Sequence, residues 1–231
     1  MGFLACGYTH LMSDTRQAHW DHVYGGKAAT DVSWYEAHPG KSLEFVLATG
    51  VRPVDPIIDV GGGAALLVDQ LLEAGHRDLT VLDVSSEVLQ RLHKRLGVRA
   101  ESVTMLHHDV TAFEPIRQYA LWHDRAVFHF LVAREDRERY VDVLHRAVMP
   151  KGQVIIATFG PAGPERCSGL PVVRYDATAL AAQLGGEFRL AESSYAAHRT
   201  PSGTEQQFLY CRFKRQSALS PASGIDTASA S

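Results

Sequence analysis

Between residues 56 and 159 the sequence alternates short apolar segments with longer amphipathic segments. The apolar segments have the length of β-strands, whereas the others repeat apolar residues at the three- and four-residue spacing of a helix. Strands that alternate with helices form right-handed crossovers, which make neighbouring strands parallel. The sequence therefore predicts a doubly wound α/β sheet. Its predicted strands are Pro56–Val60, Leu79–Val84, Ser102–His107, Tyr119–Asp124 and Gln153–Phe159, and its predicted helices are Ala64–Ala74, a segment from Ser86 to about Leu96, and Glu135–Val148.

The alternation stops near the end of the chain. Phe188–Ser194 and Gln206–Arg215 both have strand patterns, and the segment between them has no room for a helix. We expect them to form an antiparallel hairpin at one edge, which completes a mostly parallel, seven-stranded sheet. A single domain is predicted over residues 13–215. Residues 1–12 are expected to be weakly ordered, and the Ser- and Ala-rich residues 216–231 to form a disordered tail.

A glycine-rich segment, residues 57–65 (I-I-D-V-G-G-G-A-A), lies between the first predicted strand and the first predicted helix. Glycines permit positive φ and let a ligand approach the backbone closely, although they also suit a simple tight turn. A dinucleotide-binding fingerprint would need a third glycine where this chain has Leu66, and no G-K-S/T of a phosphate-binding loop follows. Asp83 ends the next strand, where a carboxylate can accept hydrogen bonds from ribose hydroxyls or cap the strand end.

These motifs together resemble those of class I S-adenosylmethionine-dependent methyltransferases. An acidic residue followed by x-Gly-x-Gly-x-Gly, with Ala65 in place of the third glycine, is similar to the family's first motif. L-D-V-S (Leu82–Ser85) resembles the ribose-binding motif, and H-D-V (His108–Val110) resembles the motif at the adenine edge. The terminal hairpin matches the family's reversed seventh strand. The resemblance, which covers at least residues 59–159, implies the class I methyltransferase fold.

The resemblance also implies a cofactor and the residues that hold it. The cofactor would be S-adenosyl-L-methionine, which leaves as S-adenosyl-L-homocysteine. Asp59 would hold the cofactor's ammonium group indirectly, and the glycines would line its amino-acid end. Asp83 would bind the ribose hydroxyls, and the residues after the third strand would meet the adenine. The full set of implied cofactor-binding residues is Asp59, Gly61, Gly62, Gly63, Asp83, Val84, Asp109 and Val110.

The candidate catalytic residues lie in Trp122–Phe130 (W-H-D-R-A-V-F-H-F). Asp124 and Arg125 end the fourth strand, at the edge where such sheets bind ligands. Residues 124–126, D-R-A, resemble an Asp-Lys-Gly segment in one branch of protein lysine methyltransferases. His129 is a candidate general base with a pKa near neutrality. The alternative is structural: packed histidines, and an ion pair between Asp124 and Arg125.

Aromatic residues are concentrated in residues 18–24 and 32–39, before the first strand. A methyltransferase needs a lid that excludes water, and we predict that residues 13–50 form a helical lid. Packing of the same aromatic side chains onto the sheet is the compatible alternative. The predicted substrate or lid residues are Trp20, Tyr24, Trp34, Tyr35, His123 and His198.

Composition excludes several other classes of function. With 23 basic and 26 acidic residues, the chain has no basic footprint for nucleic acid. No apolar run approaches the roughly 20 residues that cross a bilayer, and no signal peptide is evident. The three cysteines lack metal-ligand spacing. His107, His108 and Asp109 point alternately to opposite faces of a strand, so no metal site is predicted. We expect a cytoplasmic protein without membrane or nucleic-acid partners.

The predicted function is methyl transfer, by in-line displacement, to a nucleophilic oxygen, nitrogen or sulfur of a small molecule. Small size, slight acidity and the lack of a separate recognition domain favour a small acceptor. Two alternatives stay open. One is a protein lysine N-methyltransferase, which D-R-A favours, and the other is a non-catalytic cofactor-binding scaffold.

Overall fold

The structure, a computed structural model, describes residues 15–26 and 29–217. Its centre is a seven-stranded sheet with the strand order β3-β2-β1-β4-β5-β9-β8. The predictions for residues 1–12 and for 218–231 of the tail lie outside the described residues. The strands of the sheet are β1 (Ile57–Val60), β2 (Leu79–Asp83), β3 (Val103–His107), β4 (Tyr119–Arg125), β5 (Val148–Phe159), β8 (Phe188–Arg199) and β9 (Glu205–Arg215).

The strand directions confirm the predicted sheet. Strands β3, β2, β1, β4 and β5 are parallel to one another, whereas β9 pairs antiparallel with both β5 and β8. The helices, each written with the residues described, are α1 (15–25), α2 (Gly40–Leu47), α3 (Leu67–Glu73), α4 (Ser86–Leu96), α5 (Arg134–Ala147) and α6 (Ala177–Leu184).

Apolar side chains pack on both faces of the sheet, as a doubly wound fold requires. Adjacent residues of β4 show this division, because Leu121 packs in one buried cluster and Trp122 in the other. Strands β1 and β2 are buried along their whole length. None of the described helices is both long and apolar enough to cross a bilayer.

Three local features differ from the predictions. Helix α3 begins at Leu67 instead of Ala64, because the glycine-rich segment continues as a turn. The loop expected after β5 contains a small antiparallel pair, β6 (Arg166–Cys167) and β7 (Leu170–Pro171). Helix α6, which the sequence analysis did not predict, begins where the Asp176 side chain accepts a hydrogen bond from the backbone N–H of Ala179 at 2.7 Å.

Candidate active site

The glycine loop between β1 and α3 leaves no space for side chains at its three glycines. Gly61 has a φ of +69°, and a Cβ atom there would lie 2.2 Å from Val127 Cγ2. A Cβ on Gly62 would lie 2.2 Å from Asp59 Oδ2, and one on Gly63 would lie 2.5 Å from Val88 Cγ1. Such contacts are far shorter than van der Waals separations, so the loop requires glycine at each position.

Asp59, at the end of β1, is 4% exposed, and only one of its two carboxylate oxygens has a hydrogen-bond partner in the described structure. Its Oδ1 accepts a hydrogen bond from Nδ1 of His123 at 2.7 Å. Its Oδ2 has no hydrogen-bond partner among the described residues and lies beside the glycine loop. A buried carboxylate oxygen without a donor is costly, so this atom is suited to a ligand's positive group.

Asp83, at the end of β2, is held by backbone donors. The N–H of Ser85 donates to Oδ1 at 3.0 Å, and the N–H of Gly63 donates to Oδ2 at 3.2 Å. Burial raises the pKa of Asp83 to about 6, and the nearby charge of Asp59 adds to this rise. Each oxygen retains a lone pair that can accept a further hydrogen bond. Val84, the next residue, lines the same cavity as Asp83.

Asp109, after β3, belongs to the H-D-V segment that resembles the adenine-edge motif. Its Oδ1 accepts hydrogen bonds from the backbone N–H and the hydroxyl of Thr111, at 2.8 and 2.7 Å. Its Oδ2 accepts from Arg16 of α1 at 2.8 Å, and Arg16 also pairs with Asp136 of α5. Val110 lies beside it as a buried cavity residue. The adenine-edge motif is therefore tied to the N-terminal helix.

Two cavities lie at this edge of the sheet. The main cavity is lined by Asp83, Asp109, Gly61 and Arg125, among others. The side cavity is lined by Asp59, Gly62 and His123, among others. Four residues, Val60, Gly61, Trp34 and Arg125, line both cavities. Every implied cofactor residue except Gly63 therefore lines at least one of these two cavities.

Aromatic side chains line the main cavity. Trp20 of α1 contacts Tyr24, Trp34 and Phe130, with ring centroids 6.0, 5.6 and 5.0 Å apart. All four rings line the main cavity, whereas Tyr35 lines the side cavity. Asp21 accepts a hydrogen bond from the hydroxyl of Ser85 at 2.5 Å, which adds a second polar tie between α1 and the sheet.

Arg125, at the end of β4, organises the segment that precedes α2. It donates to Glu36 at 2.8 Å, to the carbonyl of Trp34 at 3.0 Å and to the hydroxyl of Tyr210 at 2.9 Å. His198 of β8 lies 3.4 Å from Glu36 and 2.7 Å from the carbonyl oxygen of Ser33. Burial alone would raise the pKa of Glu36, but His198 and Arg125 lower it. His198 therefore supports this segment and lines neither of the two cavities.

Asp124 does not occupy the catalytic position expected for it. The side chain is fully buried and accepts hydrogen bonds from the backbone N–H groups of Val127 and Phe128 and from the hydroxyl of Tyr140. Burial raises its pKa to about 6. The predicted alternative, an ion pair with Arg125, is also not formed, because adjacent strand residues point to opposite faces. Asp124 instead fixes the turn after β4.

His129 also differs from its prediction as a general base. It is fully buried, and its Nδ1 accepts a hydrogen bond from the backbone N–H of Phe159 at 3.2 Å. Burial and the charge of Arg125 lower its pKa to about 3, far from neutrality. Within the described residues, neither Asp124 nor His129 lines the main or the side cavity. Arg125 is thus the candidate catalytic residue that reaches the cavities.

Sequence analysis missed several residues of the site. Arg16, Phe130 and Cys167 line the main cavity, and Glu36 and Ser42 line the side cavity. Phe130 lies in the segment 122–130, and the other residues apart from Cys167 lie in the predicted lid, but none of the five was predicted as a site residue. No group of three or more potential metal ligands occurs in the described part of the chain.

Comparison with known sequences identifies the region around the glycine loop. Residues 57–152 match a family model described as a methyltransferase domain. A mouse eEF1A lysine and N-terminal methyltransferase is 28% identical over 98 residues, which are 42% of this chain and 14% of the mouse protein. The bovine protein of the same name is 24% identical over 140 residues, 59% of this chain and 19% of that protein. The chain thus matches less than a fifth of these relatives' length.

Solved structures resemble the chain over most of its length. A structure described as "Conversion of a Disulfide Bond into a Thioacetal Group during Echinomycin Biosynthesis" has a TM-score of 0.71 and 14% identity, covering 87% of this chain and 91% of the other. The 1,6-didemethyltoxoflavin-N1-methyltransferase of Burkholderia thailandensis has a TM-score of 0.64 and 20% identity, covering 91% and 89%. That enzyme was crystallised with 1,6-didemethyltoxoflavin and S-adenosylhomocysteine. At these identities the likeness shows the fold.

Proposed function

Because residues 57–152 form a methyltransferase domain within a class I S-adenosylmethionine-dependent methyltransferase fold, we propose that this chain methylates a small molecule. The acceptor atom is a nucleophilic oxygen, nitrogen or sulfur. The resemblance, the fold class and the family's cofactor, S-adenosyl-L-methionine, are confirmed predictions, and the acceptor class is the proposal. We also propose that residues 13–50 are the lid of a single domain over 13–215. A cytoplasmic location stays a prediction.

The residues at the strand ends fit the proposed cofactor site. The unpartnered Oδ2 of Asp59 is suited to the amino group, and Gly61 and Gly62 line the cavities beside it. Asp83 would accept hydrogen bonds from the ribose hydroxyls, while Asp109 and Val110 would meet the adenine. When bound, S-adenosylmethionine supplies an electrophilic methyl group on a sulfonium, so the protein needs chiefly to orient the acceptor and exclude water.

The observation that carries the proposal is the shared main cavity. Cofactor-side residues such as Asp83 and an aromatic wall that includes Trp20 and Phe130 line the same space. Helix α1 covers that space and is held there by Arg16 and Asp21. A largely apolar cavity with a few polar groups suits a small acceptor. Arg125, which lines this cavity, is the residue we propose to contact the acceptor.

Protein lysine methylation is the alternative, and the eEF1A lysine methyltransferase relatives are the observation that favours it. Two features of the site oppose it. First, Asp124, the acidic residue of D-R-A, is buried outside the main cavity. A protein side chain would also have to enter beneath α1. We therefore place the small acceptor first.

The deciding experiment follows the methyl group itself. The purified protein would be incubated with methyl-tritiated S-adenosylmethionine and a cell extract divided into a small-molecule fraction and a protein fraction. Label transferred in the small-molecule fraction, and absent with Asp83→Ala, would support the proposal. Label restricted to the protein fraction would instead support the lysine methyltransferase. Binding of S-adenosylhomocysteine without label in either fraction would support the scaffold alternative.

A further inference from the structure

Asp59, His123 and Ser42 form a buried chain of hydrogen bonds beside the side cavity. Asp59 and His123 are register partners on the adjacent parallel strands β1 and β4, so their side chains lie side by side on one face of the sheet. The His123 Nδ1 to Asp59 Oδ1 distance is 2.7 Å. From the first turn of α2, Ser42 places its hydroxyl 3.0 Å from His123 Nε2. All three side chains are at most 4% exposed.

The partners determine the tautomer of His123. An ionised carboxylate only accepts hydrogen bonds, so Nδ1 carries the proton that is donated to Asp59. In the neutral ring Nε2 is then an acceptor, and the Ser42 hydroxyl is the donor that it needs. With both ring nitrogens engaged, the imidazole orientation is fixed. The hydrogen bond made by one ring nitrogen of a histidine determines which nitrogen carries the proton and how the ring is oriented.

This chain of bonds controls how Asp59 meets a ligand. One oxygen of Asp59 is held by His123, and Oδ2 is left beside Gly62 with no partner in the described chain.

We propose that His123 is a positioning residue for the cofactor. Held by Ser42, it orients the Asp59 carboxylate toward the amino group of S-adenosylmethionine. This inference rests on the proposed function, since it requires that cofactor as the ligand. It moves His123 from the acceptor side, where the sequence analysis placed it, to the cofactor side.

The other groups around His123 are few. On its own strand the neighbours are Asp124 and Arg125; α2 contributes the uncharged Ser42, and β5 contributes the apolar Ile155 as its register partner. Glu36 lies across the side cavity and is paired with Arg125. Asp83, which has its own raised pKa, affects cofactor binding in wild type and in His123 variants alike. A comparison of the two therefore isolates His123.

The test is calorimetric titration with S-adenosylhomocysteine at one pH. His123→Phe removes the donor to Asp59, whereas His123→Asn keeps an amide that can donate to it. We expect affinity to fall about tenfold in His123→Phe and to be restored in large part in His123→Asn. In protein labelled with 15N-histidine, the signals lost in His123→Asn should show the tautomer protonated at Nδ1.

Several results would overturn the inference. Equal affinity in wild type and His123→Phe would do so, as would a neutral tautomer protonated at Nε2. If circular dichroism shows that His123→Phe does not fold, Ser42→Ala replaces it. The loss of one hydrogen bond should weaken binding by that variant roughly three- to tenfold, and unchanged affinity would contradict the inference. No binding by folded wild-type protein would overturn the proposed function as well.

Discussion

The guanidinium of Arg16 donates to the carboxylate of Asp109 at 2.8 Å, although the two residues are 93 positions apart in the chain. Arg16 also pairs with Asp136 and donates to the Thr111 hydroxyl at 3.0 Å. One arginine thus joins α1 to both the adenine-edge motif and helix α5. Since Asp109 and Asp136 are nearly buried, they depend on this cation for much of their compensation.

We predict that Arg16→Ala loosens the lid. The variant leaves Asp109 without its cation, whereas Asp136 keeps its ion pair with Arg139. Helix α1 thereby loses its ion pair with the adenine-edge motif, so S-adenosylhomocysteine should dissociate about tenfold faster. Stopped-flow fluorescence can follow this, since Trp20 and Trp34 line the cavity. Arg134→Ala is the matched control, because Arg134 is exposed and pairs only within its helix with Glu138 in the described structure. Equal dissociation rates for the two variants would contradict the prediction that the ion pairs of Arg16 hold α1 in place.

Asp83→Ala should abolish most of the cofactor affinity. It removes the proposed acceptor of the ribose hydroxyls, and hydrogen bonds to a charged group are strong, so we expect affinity to fall about 10- to 100-fold. Calorimetric titration with S-adenosylhomocysteine measures the change. Asp78→Ala is the control, because Asp78 pairs with Arg117 at a partly exposed site and its loss should change affinity by less than about twofold. Unchanged affinity of Asp83→Ala for S-adenosylhomocysteine would indicate that the glycine loop is only a structural turn.

The contribution of Asp83 and Asp124 to the stability of the cofactor-free protein should fall as the pH rises from about 4 to about 7. Burial raises the folded-state pKa of both carboxyls to about 6, above the unfolded value of about 3.9. The folded state therefore binds these two protons more tightly, and the resulting stabilisation is present at low pH and lost through pH 6. Each carboxyl contributes on the order of 1–3 kcal/mol to the change. In urea denaturation, wild type should lose stability relative to Asp124→Asn as the pH rises, and a constant difference between the two curves would be inconsistent with the raised pKa of Asp124.

His129→Phe should lower stability and leave cofactor binding unchanged. The Phe159 backbone N–H would lose its acceptor, which costs about 1–3 kcal/mol in the free energy of unfolding. Chemical denaturation measures this cost, and titration with S-adenosylhomocysteine measures affinity. Once a methyl acceptor is identified, turnover per folded molecule should also be unchanged in His129→Phe. A histidine with a pKa of about 3 is a poor general base at neutral pH. Loss of turnover in a stably folded variant would restore His129 as a catalytic residue.

Arg125→Lys should impair methyl transfer more than cofactor binding. Lysine keeps the positive charge, but it lacks the planar guanidinium whose nitrogens donate to Glu36, Trp34 and Tyr210 at the same time. We expect kcat/KM for the acceptor to fall by about tenfold or more while the affinity for S-adenosylhomocysteine changes little. Arg212→Lys is the control, since Arg212 pairs with Glu192 in the terminal hairpin. A parallel loss of cofactor affinity in Arg125→Lys would move Arg125 to the cofactor side.

The sheet and the cofactor motifs were predictable because their signals are local. Strand length, helical spacing and the glycines at 61–63 are each written within a few neighbouring residues. The terminal hairpin followed from a segment too short for a helix. Asp59 and Asp83 could be placed at strand ends for the same reason, since a residue that follows a buried strand lies at the edge of the sheet.

The acceptor side was predicted less well, because its determinants are not local. Two-residue alternation places Trp122 and Asp124 on one face of β4 and His123 and Arg125 on the other, but the sequence does not tell which face meets the cavity. Tyr140 donates a hydrogen bond to Asp124 and accepts one from Trp122. These bonds occupy the face of β4 that carries Trp122 and Asp124 with contacts inside the protein. Partners such as Arg16 and Ser42 lie 93 and 81 positions from their contacts, a distance that no short motif spans.

The insertion of β9 between β5 and β8 has a consequence for the protein as it leaves the ribosome. Strand β5 ends at Phe159, whereas the strand that covers its free edge begins only at Glu205. Until translation has passed β9, the nascent chain carries a long apolar strand with unpaired N–H and C=O groups, the kind of edge that templates aggregation. Chaperone demand should therefore be concentrated in that interval, and products truncated within it should be insoluble although every cofactor motif has already been made.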